Sequence, residues 1–170
     1  MAEALGHTVT PLRGSLVPLE ARECAVLQGL SLRNVALTVY ENNKKIHSDF
    51  GEMLFTHFGV SGPLILSASA HMRHFDKKQY RLEIDLKPAL SEEQLYDRIT
   101  RDFALLANHA AQGALVKLLP SSMQPVMVAR WGIDPATKAN QITREQKREL
   151  VQLVKHWRVS IDARGDLAHA

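Results

Sequence analysis

The sequence predicts an α+β fold: a β-barrel-like subdomain that carries a small helical subdomain as an insertion. Three observations lead there. Short alternating apolar stretches dominate the first ninety residues; two capping boxes and helical spacing dominate residues 91–155; and alternation returns at Val159 and Ile161. The predicted division is therefore 1–90 plus 156–170 for the barrel-like part and 91–155 for the helical part.

The barrel elements follow in order. Thr8–Pro11 and Leu16–Leu19 are short extended candidates bounded by prolines and Gly14. Leu30, Leu32, Val35, Leu37 and Val39 alternate, with a slip in phase at Arg33-Asn34 that predicts a bulge or a break between two strands. Glu41 to Lys45 is polar and turn-like, Ile46–Phe50 returns as a partner strand, and Met53–Thr56 is the next apolar strand. Leu82, Ile84 and Leu86 alternate with acidic residues before Pro88 ends the pattern.

In the helical part, Ser91 to Gln94 fits a capping box, and Leu95, Ile99, Phe103 and Leu106 follow at helical spacing. Ala114–Leu119 reads as a short helix stopped by Pro120, because proline cannot continue one. Ser122 opens another, with Pro125 in its first turn and Gly132 past its end. Thr143 to Gln146 is a second capping box, ahead of Leu150, Val151, Val154 and Trp157.

Composition narrows the function classes. The chain has 170 residues, 45% hydrophobic and 23% charged, the balance of a globular protein. No apolar run approaches the ~20 residues of a membrane helix, and MAEALGHTVT lacks a signal-peptide pattern, so a cytoplasmic location without membrane partners is expected. The one cysteine, Cys24, excludes an intrachain disulfide and any multi-cysteine zinc site; no metal is expected. Net charge is +3, but acidic and basic residues interleave, as in Arg144 to Glu149, so a nucleic-acid partner is not expected from charge pattern.

The chemistry-bearing stretch is Gly51 to Pro63 (GEMLFTHFGVSGP). An apolar strand runs into His57, then Gly59-Val60-Ser61-Gly62-Pro63, then a helix over 63–72 rich in small residues. Pro63 suits a first helical turn, and the glycines allow tight turns or close backbone approach. Such a strand–turn–helix presents free amides to an anion or cofactor, or is a tight connection with no ligand. Ser61 does not sit in a G-x-S-x-G elbow. Gly59-Val60-Ser61-Gly62 matches a GXXG loop in spacing, but a strand precedes it and its middle lacks basic residues. His57, on an extended segment, is a candidate proton shuttle or substrate contact. Asp85 reads as a solvated strand residue, His71 and His74 as surface residues, and Met123 and Met127 as core filling.

The pattern Gly51-x-x-Leu54-Phe55-Thr56-His57-x-Gly59-x-Ser61-Gly62-Pro63-x-x-Leu66-x-x-Ser69 resembles the signature of BaiN/YhiN-type flavoproteins, a group of NAD(P)/FAD-dependent oxidoreductases. Gly6-His7, Leu16-Val17-Pro18-Leu19, Leu30 to Val35 and Ile84-Asp85-Leu86-x-Pro88 support it in the same order. In that family a barrel with a small helical subdomain interrupts an FAD-binding Rossmann-type domain. The resemblance therefore implies that this chain is the insert of a larger FAD-dependent oxidoreductase, covering the flavin and shaping the substrate site. It also implies Thr56, Gly59, Ser61, Gly62 and Pro63 as cofactor-facing residues, with His57 catalytic. The implied partners are the FAD-binding domain of the same polypeptide, a small-molecule substrate and NAD(P)H as a candidate reductant. The chain has no dinucleotide fingerprint, so no FAD binding and no catalysis are expected of it alone. The alternative reading is a free-standing nucleic-acid-binding or protein-interaction module.

Overall fold

A computed structural model describes residues 18–164, apart from 74 and 76. Among the described residues seven strands form one antiparallel sheet in the order β6-β5-β2-β3-β4-β1-β7. They are β1 (Leu19–Glu20), β2 (Ser31–Glu41), β3 (Lys44–Phe55), β4 (Gly59–Ser61), β5 (Tyr80–Asp85), β6 (Trp157–Ile161) and β7 (Ala163–Arg164). The two outermost strands, β6 and β7, are consecutive in the chain, with only Asp162 between them. One bent segment thus pairs with β5 by its first half and with β1 by its second, nearly closing a six-strand barrel. The bend is fastened on both sides. The Asp162 amide donates to the Glu20 carbonyl at 2.7 Å, and the Asp162 carboxylate accepts from the Arg22 amide at 2.8 Å.

The hydrophobic pattern explains the strands. Leu32, Val35, Leu37 and Val39 of β2, Met53 and Phe55 of β3, Leu82 and Ile84 of β5, and Trp157 and Val159 of β6 are all buried. The phase slip in β2 is a bulge rather than a break: Leu32 pairs with Met53 and Val35 with Gly51, and Asn34 takes a positive φ of 57°. The two extended candidates at 46–50 and 53–56 are one strand, β3, because β2 pairs with its whole length. Asn42 and Asn43, at φ 48° and 69°, make the two-residue turn between β2 and β3, a conformation asparagine tolerates well. The candidate at Thr8–Pro11 lies outside the described residues; Leu16–Leu19 is described only from its end, where β1 begins.

Among the described residues every α-helix except α1 (Pro63–Ser69) falls between β5 and β6: α2 (Glu92–Leu105), α3 (Ala111–Ala114), α4 (Met123–Trp131) and α5 (Arg144–Lys155). Both capping boxes form, with Ser91 and Thr143 accepting from the amides of Gln94 and Gln146. Gly132 closes α4 in the left-handed conformation at φ 77°. Leu95, Ile99, Phe103, Met123, Met127, Trp131, Leu150 and Val154 fill the space between the helices. One predicted helix is displaced. Residues 115–119 wind through turns after α3 instead of forming a helix of their own, with Leu118 and Leu119 both bonding back to the Leu115 carbonyl. Leu115, Leu118 and Leu119 are all buried along that path. No described helix is long and apolar enough to cross a membrane.

Candidate functional site

The Gly51–Pro63 stretch becomes the corner where β3 ends, β4 begins and α1 starts. Its turn is self-fastened. The Thr56 amide donates to the Gly59 carbonyl at 2.8 Å, and the Gly59 amide donates back to the Thr56 hydroxyl at 3.1 Å. His57 is therefore at the tip of a turn, not on an extended segment, and its ring is exposed, edge-on to Phe58 at 5.1 Å. Ser61 is half-buried, paired with Leu54 across the β3–β4 ladder. Pro63 is the first residue of α1 and is exposed. Thr56, His57, Ser61 and Pro63 thus belong to one corner.

The two glycines serve the chain's own backbone. A Cβ on Gly59 would stand 2.0 Å from the Leu19 carbonyl oxygen and 2.6 Å from the Ala21 nitrogen, because β1 crosses there. Gly62 has φ +96° and a Cβ on it would lie 3.0 Å from the Met53 Cα. Close approach of the chain's own backbone accounts for both positions. The corner brings together the exposed His57 ring, the half-buried Ser61 and the start of α1.

Other residues singled out by sequence resolve as follows. Asp85 is not simply solvated: the Lys155 ammonium sits 2.8 Å from it and also donates to the Lys87 and Leu90 carbonyls, tying β5 and α5 together. Burial pushes the Cys24 thiol up to about 12, with the nearby Glu23 carboxylate adding to it, so it stays protonated and unreactive. His71 is exposed as expected, yet its ring stacks on His47 with centroids 4.0 Å apart; His74 lies outside the described residues. Met123 and Met127 are core filling. Among the described residues no group of three or more histidines, cysteines or carboxylates could hold a metal ion.

Sequence reading missed one constellation. Tyr40 on β2, Arg81 and Glu83 on β5, Arg130 on α4, and His156 and Arg158 around the start of β6 line an open cleft of about 780 Å³. The Arg130 guanidinium lies over the Trp157 ring at 3.7 Å, and that of Arg81 over Tyr40 at 4.5 Å. Glu83 takes a 2.5 Å contact from His156 Nδ1. These residues are scattered from 40 to 158, so no local pattern announces them; the polar alternation at Arg81 and Glu83 marked only an outward strand face.

Residues 13–170 match the model of the HI0933-like protein barrel and H2TH domain, and the chain belongs to that family. The oxidoreductase-type resemblance read from the Gly51–Ser69 pattern is borne out by this match. A Haemophilus influenzae protein named ribosomal RNA dihydrouridine synthase is 29% identical over 161 residues, covering 92% of this chain and 37% of that protein. A Clostridium scindens protein named 3-dehydro-bile acid delta(4,6)-reductase is 21% identical, covering 95% of this chain and 40% of that one. An Escherichia coli protein with the ribosomal RNA dihydrouridine synthase name is 25% identical, covering 94% and 38%. The chain thus spans 37–40% of the length of these curated relatives.

Proposed function

We infer, from membership of this barrel and H2TH family, that the chain is the substrate-side domain of a flavin-dependent oxidoreductase. The observation that carries this reading is the family match over residues 13–170, together with relatives named for reductive chemistry. A reductase and a dihydrouridine synthase both add hydrogen to an unsaturated substrate. A flavin, if held by a further part of the polypeptide, would supply that hydride, with NAD(P)H as its candidate reductant. The residues of this chain position the other partner. His57, exposed at its turn, orients a substrate carbonyl or moves a proton. The Ser61 hydroxyl and the Ser61-Gly62 amides meet a carbonyl or anionic oxygen of the substrate or of the flavin ring. Thr56, Gly59 and Pro63 fix the corner against the flavin, Gly59 by letting β1 pass beneath it.

The test is the flavin content of the polypeptide encoded by the whole reading frame around this chain. A strand–G-x-G-x-x-G–helix upstream and a yellow purified protein support the reading, as does failure of the 170-residue chain to retain added FAD. A colourless whole polypeptide without redox activity overturns it.

A second reading concerns the substrate. The relatives at 29% and 25% identity are both named for ribosomal RNA, against one at 21% named for a bile acid. RNA is therefore the favoured substrate class, although charge pattern alone points away from nucleic acid. A uridine-containing RNA that reoxidises the reduced flavin of the whole polypeptide supports this; a steroid that does so while RNA does not overturns it.

A further inference from the structure

We propose that the arginine-lined cleft between the barrel's outer face and helices α4 and α5 grips the phosphodiester backbone of a single-stranded RNA segment. The inference rests on the RNA reading and adds a second contact surface, away from the Thr56–Pro63 corner.

The donors are preorganised. The guanidinium carbons of Arg81 and Arg130 sit over the Tyr40 and Trp157 rings, which restrains both side chains while about a quarter of each stays open to solvent: 28% for Arg81 and 27% for Arg130. Each is held by one strong hydrogen bond: Arg81 Nη1 donates to Asn43 Oδ1 at 3.0 Å, and Arg130 Nη1 to the Arg158 carbonyl at 2.7 Å. Their other contacts are loose. Arg81 Nη2 is 3.8 Å from Glu83, Arg130 Nη2 is 3.8 Å from Glu23, and Arg158 Nε is 3.9 Å from Glu83. These separations give charge attraction but no hydrogen bond. The Arg158 side chain is 65% exposed, so most of its donors face solvent. Three arginines line the cleft against two carboxylates, Glu83 and Glu149, and Glu83 is already engaged by His156.

Position favours a polymer over a small phosphate ligand. Tyr40 pairs with Lys45 near the β2–β3 turn, and Phe55, where the corner begins, lies ten residues further along β3. At strand spacing that is roughly 30 Å. A ligand that touches both the corner and the cleft must be long, and a chain of nucleotides carries a phosphate at every step.

The experiment measures fluorescence anisotropy of a labelled single-stranded oligouridylate with the 170-residue chain across a salt series. The wild-type chain is expected to bind with affinity that falls steeply with salt. Arg158→Gln and Arg81→Gln should each weaken binding about fivefold to tenfold, and the double variant should flatten the log–log salt slope by about 1.4, the loss of two single-strand phosphate contacts. Arg144→Gln, exposed and outside the cleft, should bind like wild type. If Arg81→Gln fails to fold, Arg158→Glu on its exposed side chain carries the test and should bind more weakly than Arg158→Gln. Oligouridylate binding unchanged in the arginine variants overturns the cleft while sparing the RNA reading. No binding by the wild-type chain at low salt overturns both. Arginine-dependent binding of polyglutamate but not RNA reassigns the cleft to an acidic protein and overturns the proposal. None of these readouts depends on flavin, so the oxidoreductase reading stands or falls separately.

Discussion

Gly59 illustrates how one residue can carry a motif for packing reasons. The space its side chain would need is occupied by the Leu19 carbonyl and the Ala21 amide nitrogen. Gly59→Ala must push β1 away from β4, and we expect a loss of about 3 kcal/mol in chemical denaturation. An unchanged midpoint would mean that β1 is not seated there. His47 gives a second residue-scale expectation. Burial, and then the stacked His71 ring, lower its pKa, with Asp49 opposing. Its Nε2 is buried with no hydrogen-bond partner. The unfolded chain therefore takes up a proton on His47 at a higher pH than the folded one does. The stability this contributes is complete above the unfolded pKa, about 6.5, and is lost as pH falls below it. The urea midpoint should drop between about pH 7 and about pH 5, and His47→Phe, which keeps a ring on His71, should flatten that drop. An identical pH profile in the variant would contradict the assignment.

At the scale of elements, local chemistry decided what was readable. Ser91 with Gln94 and Thr143 with Gln146 are complete capping boxes in sequence and in structure, because all the groups involved lie within one turn. Ser91→Ala should cost about 1 kcal/mol and lower the Tm by about 2–4 °C; no shift would show that α2 is held by packing alone. The slip at Arg33-Asn34 was legible as an irregularity, since alternation fails there, but only the partner strand could decide between bulge and break. Continuous pairing with β2 also merged two candidates into β3, a long-range fact that no window of sequence contains. Residues 115–119 escaped for the converse reason. Their i, i+3, i+4 apolar spacing suits a helix, and the same three leucines are buried here by turns that bond back to the Leu115 carbonyl, a distinction the spacing does not make. Asp85 read as solvated because its partner Lys155 is seventy residues away.

The molecule as a whole joins a nearly closed barrel to a helical layer built between β5 and β6. Closure depends on one bent segment at Asp162 pairing to both sides, which places the cleft-lining end of β6 beside β5 and returns the chain to β1 beneath the corner. The corner was legible because its residues are contiguous; the arginine cleft was not, because the topology gathers it from β2, β5, β6 and α4. Both surfaces follow from the same closure, and we propose that the corner faces the reacting ring in a larger flavin-dependent polypeptide. The most direct measurement is turnover of that whole polypeptide with His57→Ala, since His57 is exposed and its removal leaves the barrel intact. We expect unchanged flavin content and Tm with turnover reduced about a hundredfold. Turnover equal to that of the unaltered polypeptide would contradict it.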